Sequence, residues 1–207
     1  MTIDDYLNEL NYALSGVINA LWHEQDAVDD LQKQLNALQR TVQDQYRRAE
    51  AIARDAETPD DVMLATAMQW ETYFGDDKAA ARTQAELVGI LEKLKLREFS
   101  RSSLAGSLLQ FAKQGLSAAY GEPKNWPTGR MVGSQGLSTV VLQARNQAEH
   151  WEEGKPRDPV VACFDALAKD CGAQFAAYRT RNLAFEVVTL LGWRSVDAFG
   201  TDMRSAQ

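Results

Sequence analysis

Residues 7–38 read LNELNYALSGVINALWHEQDAVDDLQKQLNAL. Apolar side chains recur in them on alternating steps of three and four, at Leu7, Leu10, Leu14, Val17, Leu21, Val28, Leu31, Leu35 and Leu38. That rhythm is a helix with one apolar seam. It continues through Val42, Ala49 and Ile52, with Glu24 and Gln45 as polar exceptions. Upstream, Thr2 can cap the helix, and Asp4 and Asp5 place negative charge in its first turn, where the helix dipole favours it. The pattern predicts one helix from about Ile3 to Asp55. At 1.5 Å per residue it is roughly 75 Å long, so it either projects or lies along another long helix.

Working outward, helix-favouring Ala, Leu, Gln, Glu and Arg dominate and no strict apolar alternation appears, so the chain reads as all-α, an antiparallel helical bundle. Thr58-Pro59 ends the first helix and caps the next. The segment after it runs to Gly75, Asp76 caps a helix to about Phe99, and a further helix follows Ser102 or Ser103. The stretch GEPKNWPTGRMVGSQG, residues 121–136, is a long Gly- and Pro-rich loop, either a functional element or a connector whose Trp126 plugs the core edge. Its GRMVGSQG lacks the preceding strand and the Lys-Ser/Thr of a nucleotide-binding loop. Helices are predicted over Leu137 to Glu153, Pro159 to Tyr178 and Arg181 to Leu191, with Gly192 as the last stop signal. Two regions follow, a helical hairpin over 1–99 and a bundle over 100–207.

The net charge is −7, which argues against indiscriminate binding to nucleic acid. The acids concentrate before Glu98, whereas from Ser100 onward Lys and Arg slightly exceed Asp and Glu, so a polyanion would meet that half. The acidic opening and the lack of a long apolar run predict a soluble, cytoplasmic protein with no membrane association. Cys163 and Cys171 are too far apart along one helix to form a disulfide and read as two reduced thiols. His23, beside Trp22, reads as structural, and Trp70, Trp151 and Trp193 read as packing residues on apolar stripes.

Chemistry concentrates in VLQARNQAEHW, Val141 to Trp151. At a hundred degrees per residue, Leu137, Val140, Val141, Ala144, Ala148 and Trp151 gather on one side. Arg145, Asn146, Glu149 and His150 gather on the other, with Leu142 among them as a sign that this face meets another surface. Arg offers a rigid fork of donors for a phosphate, His exchanges a proton near neutral pH, and Asn can hold either partner. RNA suits such a set because its 2′-hydroxyl can attack the adjacent phosphorus without a metal.

The stretch RNQAEH resembles the signature of the HEPN superfamily, in which an Arg, usually followed by a polar residue such as Asn, precedes a His with four to six residues between them. That resemblance implies an HEPN-like helical bundle and a metal-independent endoribonuclease without cofactor, with Arg145, Asn146 and His150 as catalytic residues. It further implies a homodimer whose two motifs face one composite cleft, in a toxin-antitoxin or antiphage defence setting with an antitoxin or defence-system partner protein. Where toxins silenced by a nucleotidyltransferase commonly carry a Tyr two positions after the His, this chain has Glu152. Lys124, Arg130 and Lys155 are further candidates for positioning RNA phosphates. The alternative is a non-catalytic helical interaction module, or one that binds nucleotide or RNA, acting through the long N-terminal helix. The nuclease reading requires Arg145 and His150 to open on a groove rather than be consumed by salt links within the chain.

Overall fold

A computed structural model describes residues 1–54, 60, 62–64, 66–67 and 77–206. The fold is all-α. Its elements in chain order are α1 (Ile3–Arg54), α2 (Asp77–Tyr120), a two-stranded pair β1 (Met131–Val132) and β2 (Gln135–Gly136), α3 (Leu137–His150), α4 (Asp158–Asp170), α5 (Ala184–Leu191) and α6 (Val196–Ser205). Short 3-10 segments occupy Pro123–Asn125, Trp151–Glu153 and Ala173–Arg179. Residues 60, 62–64 and 66–67 are also helical. The predicted junction at Thr58-Pro59, Trp70, Gly75 and the Asp76 cap lie outside the described residues, as do the side chains of Val42, Gln45, Ala49 and Ile52. Among the described residues no helix is long and apolar enough to cross a membrane.

Residue contacts divide the chain into two units, one made of residues 1–25 and 99–207, the other of residues 26–98. The first 25 residues group with residues 99–207 rather than with the rest of the N-terminal region. In the second unit Val28 and Leu35 share an apolar cluster with Ile90 and Leu94, flanked by Leu31, Leu38 and Leu87.

The first unit carries the main core. Thr2 and Asp5 cap α1 reciprocally, Asp5 N–H donating to Thr2 Oγ1 at 3.1 Å and Thr2 N–H to Asp5 Oδ2 at 2.9 Å. Leu7, Leu14 and Leu21 of the heptad, with Ile3 and Ile18, are buried, each such side chain contributing about 1.5–3 kcal/mol. Within this unit α1 and α2 run antiparallel. Tyr6 Oη donates to the Phe111 carbonyl at 2.8 Å, while Arg101 Nη1 donates to Gln25 Oε1 at 2.6 Å. Gly115 allows the close approach, since a Cβ there would lie 2.7 Å from the Tyr6 ring.

Three expectations need correction. First, α2 is unbroken through Ser102 and Ser103, because Ser103 and Ser107 donate their hydroxyls to the carbonyls of Phe99 and Ser103, four residues back, instead of capping a new helix. Second, the helix predicted over Pro159 to Tyr178 stops at Asp170, since Gly172 adopts φ +139, a conformation closed to L side chains. Third, the chain does not stop helically at Gly192. Ser195 Oγ accepts from Ala198 N–H at 3.1 Å and starts α6.

Candidate functional site

Helix α3 is placed by its apolar side, with Leu137, Val140, Val141 and Ala144 buried, and it packs against α4 and α5. Gln147, in the middle of the motif, is a buried staple. Its Nε2 donates to the carbonyls of Tyr178 (2.9 Å) and Arg181 (2.7 Å), and its Oε1 accepts from Leu183 N–H at 3.0 Å. The opposite side of α3 presents Arg145, Asn146, Glu149 and His150 outward, as the helical spacing requires.

Arg145 is fixed from two sides. Nε donates to Gln110 Oε1 of α2 at 2.7 Å, Nη2 donates to Glu149 Oε1 at 2.9 Å, and Nη1 contacts Glu149 Oε2 and, at 3.4 Å, Asn146 Oδ1. His150 Nδ1 lies 2.7 Å from Glu153 Oε1, and Nε2 lies 3.6 Å from Glu149 Oε2. One carboxylate therefore stands between the guanidinium and the imidazole. In the neutral tautomer that pairs with Glu153, Nδ1 carries the proton and Nε2 is left as an acceptor.

Both candidate side chains are thus engaged within the chain, yet neither is sealed. Arg145, 24% exposed, lines a groove of about 660 Å³ with Gln110, Ser103, Ser107, Glu152 and Asn182. His150, 48% exposed, lines a smaller cavity of about 50 Å³ with Asn146, Lys155, Arg157 and Tyr178. Trp151 borders both. It is 36% exposed rather than packed, a correction to its expected place on the apolar stripe.

The loop candidates separate. Lys155 joins His150 at the small cavity. Arg130 does not join it. Its Nε and Nη2 form a fork on Asp202 at 2.5 and 2.7 Å, and Nη2 also reaches the Leu191 carbonyl at 3.1 Å. Asp202 is buried, also receives Trp193 Nε1 at 2.9 Å, and through its hydrogen bond and charge pushes the Arg130 pKa upward. Arg130 is therefore committed through Nε and Nη2 to a structural clamp. Lys124 pairs on the surface with Glu122 at 2.7 Å, and neither it nor Arg130 lines the groove or the cavity. Trp126 is half-buried against the core, and its Nε1 donates to the Gly121 carbonyl at 3.0 Å, which suits a connector. His23 is exposed, Trp193 is buried, and Cys163 and Cys171 are free thiols.

Sequence reasoning missed Gln110, Glu149 and Glu153 as partners of the motif, and Arg157 beside it. Glu149 and Glu153 are readable, four residues from Arg145 and three from His150 on one helical face. Gln110 carries no such signal. Asn182, from an Arg-Asn pair without a following His, donates Nδ2 to the Ala148 carbonyl at 3.2 Å and accepts from Ala184 N–H at 2.9 Å, fastening the end of α3 to the start of α5. Among the described residues no cluster of three His, Cys, Asp or Glu is placed to hold a metal ion. No family model, curated protein or solved structure matches the chain.

Proposed function

We propose that the chain is a metal-independent endoribonuclease of HEPN type. The observation that carries this reading is the single Glu149 carboxylate held between Arg145 and His150, because it means that one anionic group can meet both side chains at once. A phosphate displacing that carboxylate meets the guanidinium fork, while Nε2 of the imidazole faces the reacting oxygens. The RNA 2′-oxygen then bonds to phosphorus as the P–O5′ bond breaks. His150 takes the 2′-hydroxyl proton, and the same imidazole of a second copy returns a proton to the departing 5′-oxygen. Arg145 holds the crowded phosphate, and Asn146, beside the guanidinium, orients it. Glu153 fixes the imidazole tautomer.

The test is digestion of RNA by the full chain in excess chelator. Fragments ending in 2′,3′-cyclic phosphate are expected, and their rate of formation should fall steeply for Arg145→Ala and His150→Ala. Equal digestion by wild type and both variants would remove the reading.

A second reading, a non-catalytic interaction module, is favoured by the exposed apolar side chains of Val88, Leu91 and Leu96 on α2. Polar replacement of those three residues would abolish its partner binding and leave RNA cleavage intact. Deleting the N-terminal helix is unsuitable as a test, because Ile3, Leu7, Leu14 and Leu21 belong to the main core.

A further inference from the structure

We propose that Trp151 is a stacking platform for a nucleobase and that Lys155 and Arg157 hold the phosphate next to it. The nature of the polymer rests on the ribonuclease reading; the binding geometry does not.

A tryptophan that serves packing is covered. Trp193 shows this, fully buried with its indole N–H on Asp202. Trp151 has the opposite setting. It starts the 3-10 turn that follows α3, more than a third of it is open to solvent, and it is the wall shared by the Arg145 groove and the His150 cavity. An exposed aromatic side chain between two depressions that carry Arg145 and Lys155 suits a base whose flanking phosphates fall on either side.

The second phosphate seat comes from the chain's return. Gly154 adopts φ +65 and ends the turn, and Lys155, Pro156 and Arg157 then line the cavity beside His150. Among the described residues neither Lys155 nor Arg157 has an ion-pair partner, so both charges are available. Of the acids nearby, Glu149 and Glu153 are taken up by Arg145 and His150, which leaves Glu152 on the groove rim and Asp158 at the start of α4 to oppose a phosphate.

The test uses two probes that cannot be cut at a 2′-hydroxyl, a 2′-O-methyl hexanucleotide and the same sugar-phosphate backbone without bases. Affinities are measured by competition against a labelled strand. Trp151→Ala is expected to weaken hexanucleotide binding about ten-fold or more and leave the base-free backbone unaffected, while Trp151→Phe keeps most of the affinity. The Lys155→Ala/Arg157→Ala pair is expected to weaken both probes and to reduce the slope of log K against log salt by about 0.7 for each phosphate that is no longer neutralised.

Unchanged hexanucleotide binding by Trp151→Ala, equal losses of that variant on both probes, or no binding by wild type would each overturn the proposal. Base-dependent binding through Trp151 in a chain that never cuts unmodified RNA would uphold it while removing the nuclease reading. Cleavage that persists with Trp151→Ala binding unchanged would do the reverse.

Discussion

Arg130 and Arg145 each meet a carboxylate with a fork of donors, and the two pairs do opposite work. Asp202, the partner of Arg130, has a side chain 7% exposed and comes from a helix 72 residues away in sequence; Trp193 binds it too. Glu149, the partner of Arg145, is 48% exposed, sits one turn along the same helix, and is also approached by His150. In the first pair the acid has left water, so removing Arg130 strands a buried carboxylate. In the second, water can replace either partner, so another anion can replace the carboxylate. Burial of the acid, more than the presence of a salt link, distinguishes a clamp from a site.

The contrast breaks most visibly at Asp202. Asp202→Ala should lose about 1–3 kcal/mol of stability in denaturant titration, because the buried Trp193 indole N–H loses its acceptor and the part-exposed Arg130 loses its partner. A loss below about 1 kcal/mol, the range of an exposed pair, would show that Arg130 is no clamp. Arg145→Ala should cost less than about 1 kcal/mol in the same titration and yet slow RNA cleavage by about 10²–10³-fold. Stability and activity should therefore come apart at Arg145 and not at Arg130.

Glu149→Gln sharpens the contrast further. Stability should move by less than about 0.5 kcal/mol, while affinity for RNA rises several-fold at low salt and the gain shrinks as salt screens it. Unchanged or weaker binding would mean that Glu149 assists rather than competes.

The smallest effect is one of pH. The Asp170 carboxyl is held below its usual range by hydrogen bonds from Ser134, whose backbone N–H donates at 2.9 Å and ties the β1–β2 turn to the end of α4. A lowered folded-state pKa means that the unfolded chain binds more protons in the interval between the folded value and 3.8. Its contribution is complete above the unfolded value and is lost as pH falls through the folded one. Asp170→Asn should therefore flatten the acid limb of a stability profile below about pH 4. An unchanged limb would assign that loss to other carboxylates.

Much of this molecule is local, and what is local is legible. The heptad of α1 and its Thr2 cap need only neighbours in sequence, as does the apolar stripe that orients α3. Whether Ser103 caps a helix or bonds back within one depends on packing of α2 that its sequence does not carry. Trp151 leaves its expected stripe for a geometric reason. The stripe holds at α-helical pitch, but the chain tightens to 3-10 at that residue and turns the indole off the buried side. Gln110 lies 35 residues from the arginine it fixes, on another helix, and no periodicity connects them. The charge of Arg130 is plain in the sequence, but its role is decided by a buried acid 72 positions on.

The central claim is that one phosphate is gripped by Arg145 and His150 acting together. A double-mutant cycle on RNA cleavage, using Arg145→Ala, His150→Ala and both, tests it most directly. Groups that act as a unit are grossly non-additive, so the double variant should be no slower than the worse single one. Losses that multiply would mean that the two side chains work separately, and the shared-phosphate account would fail.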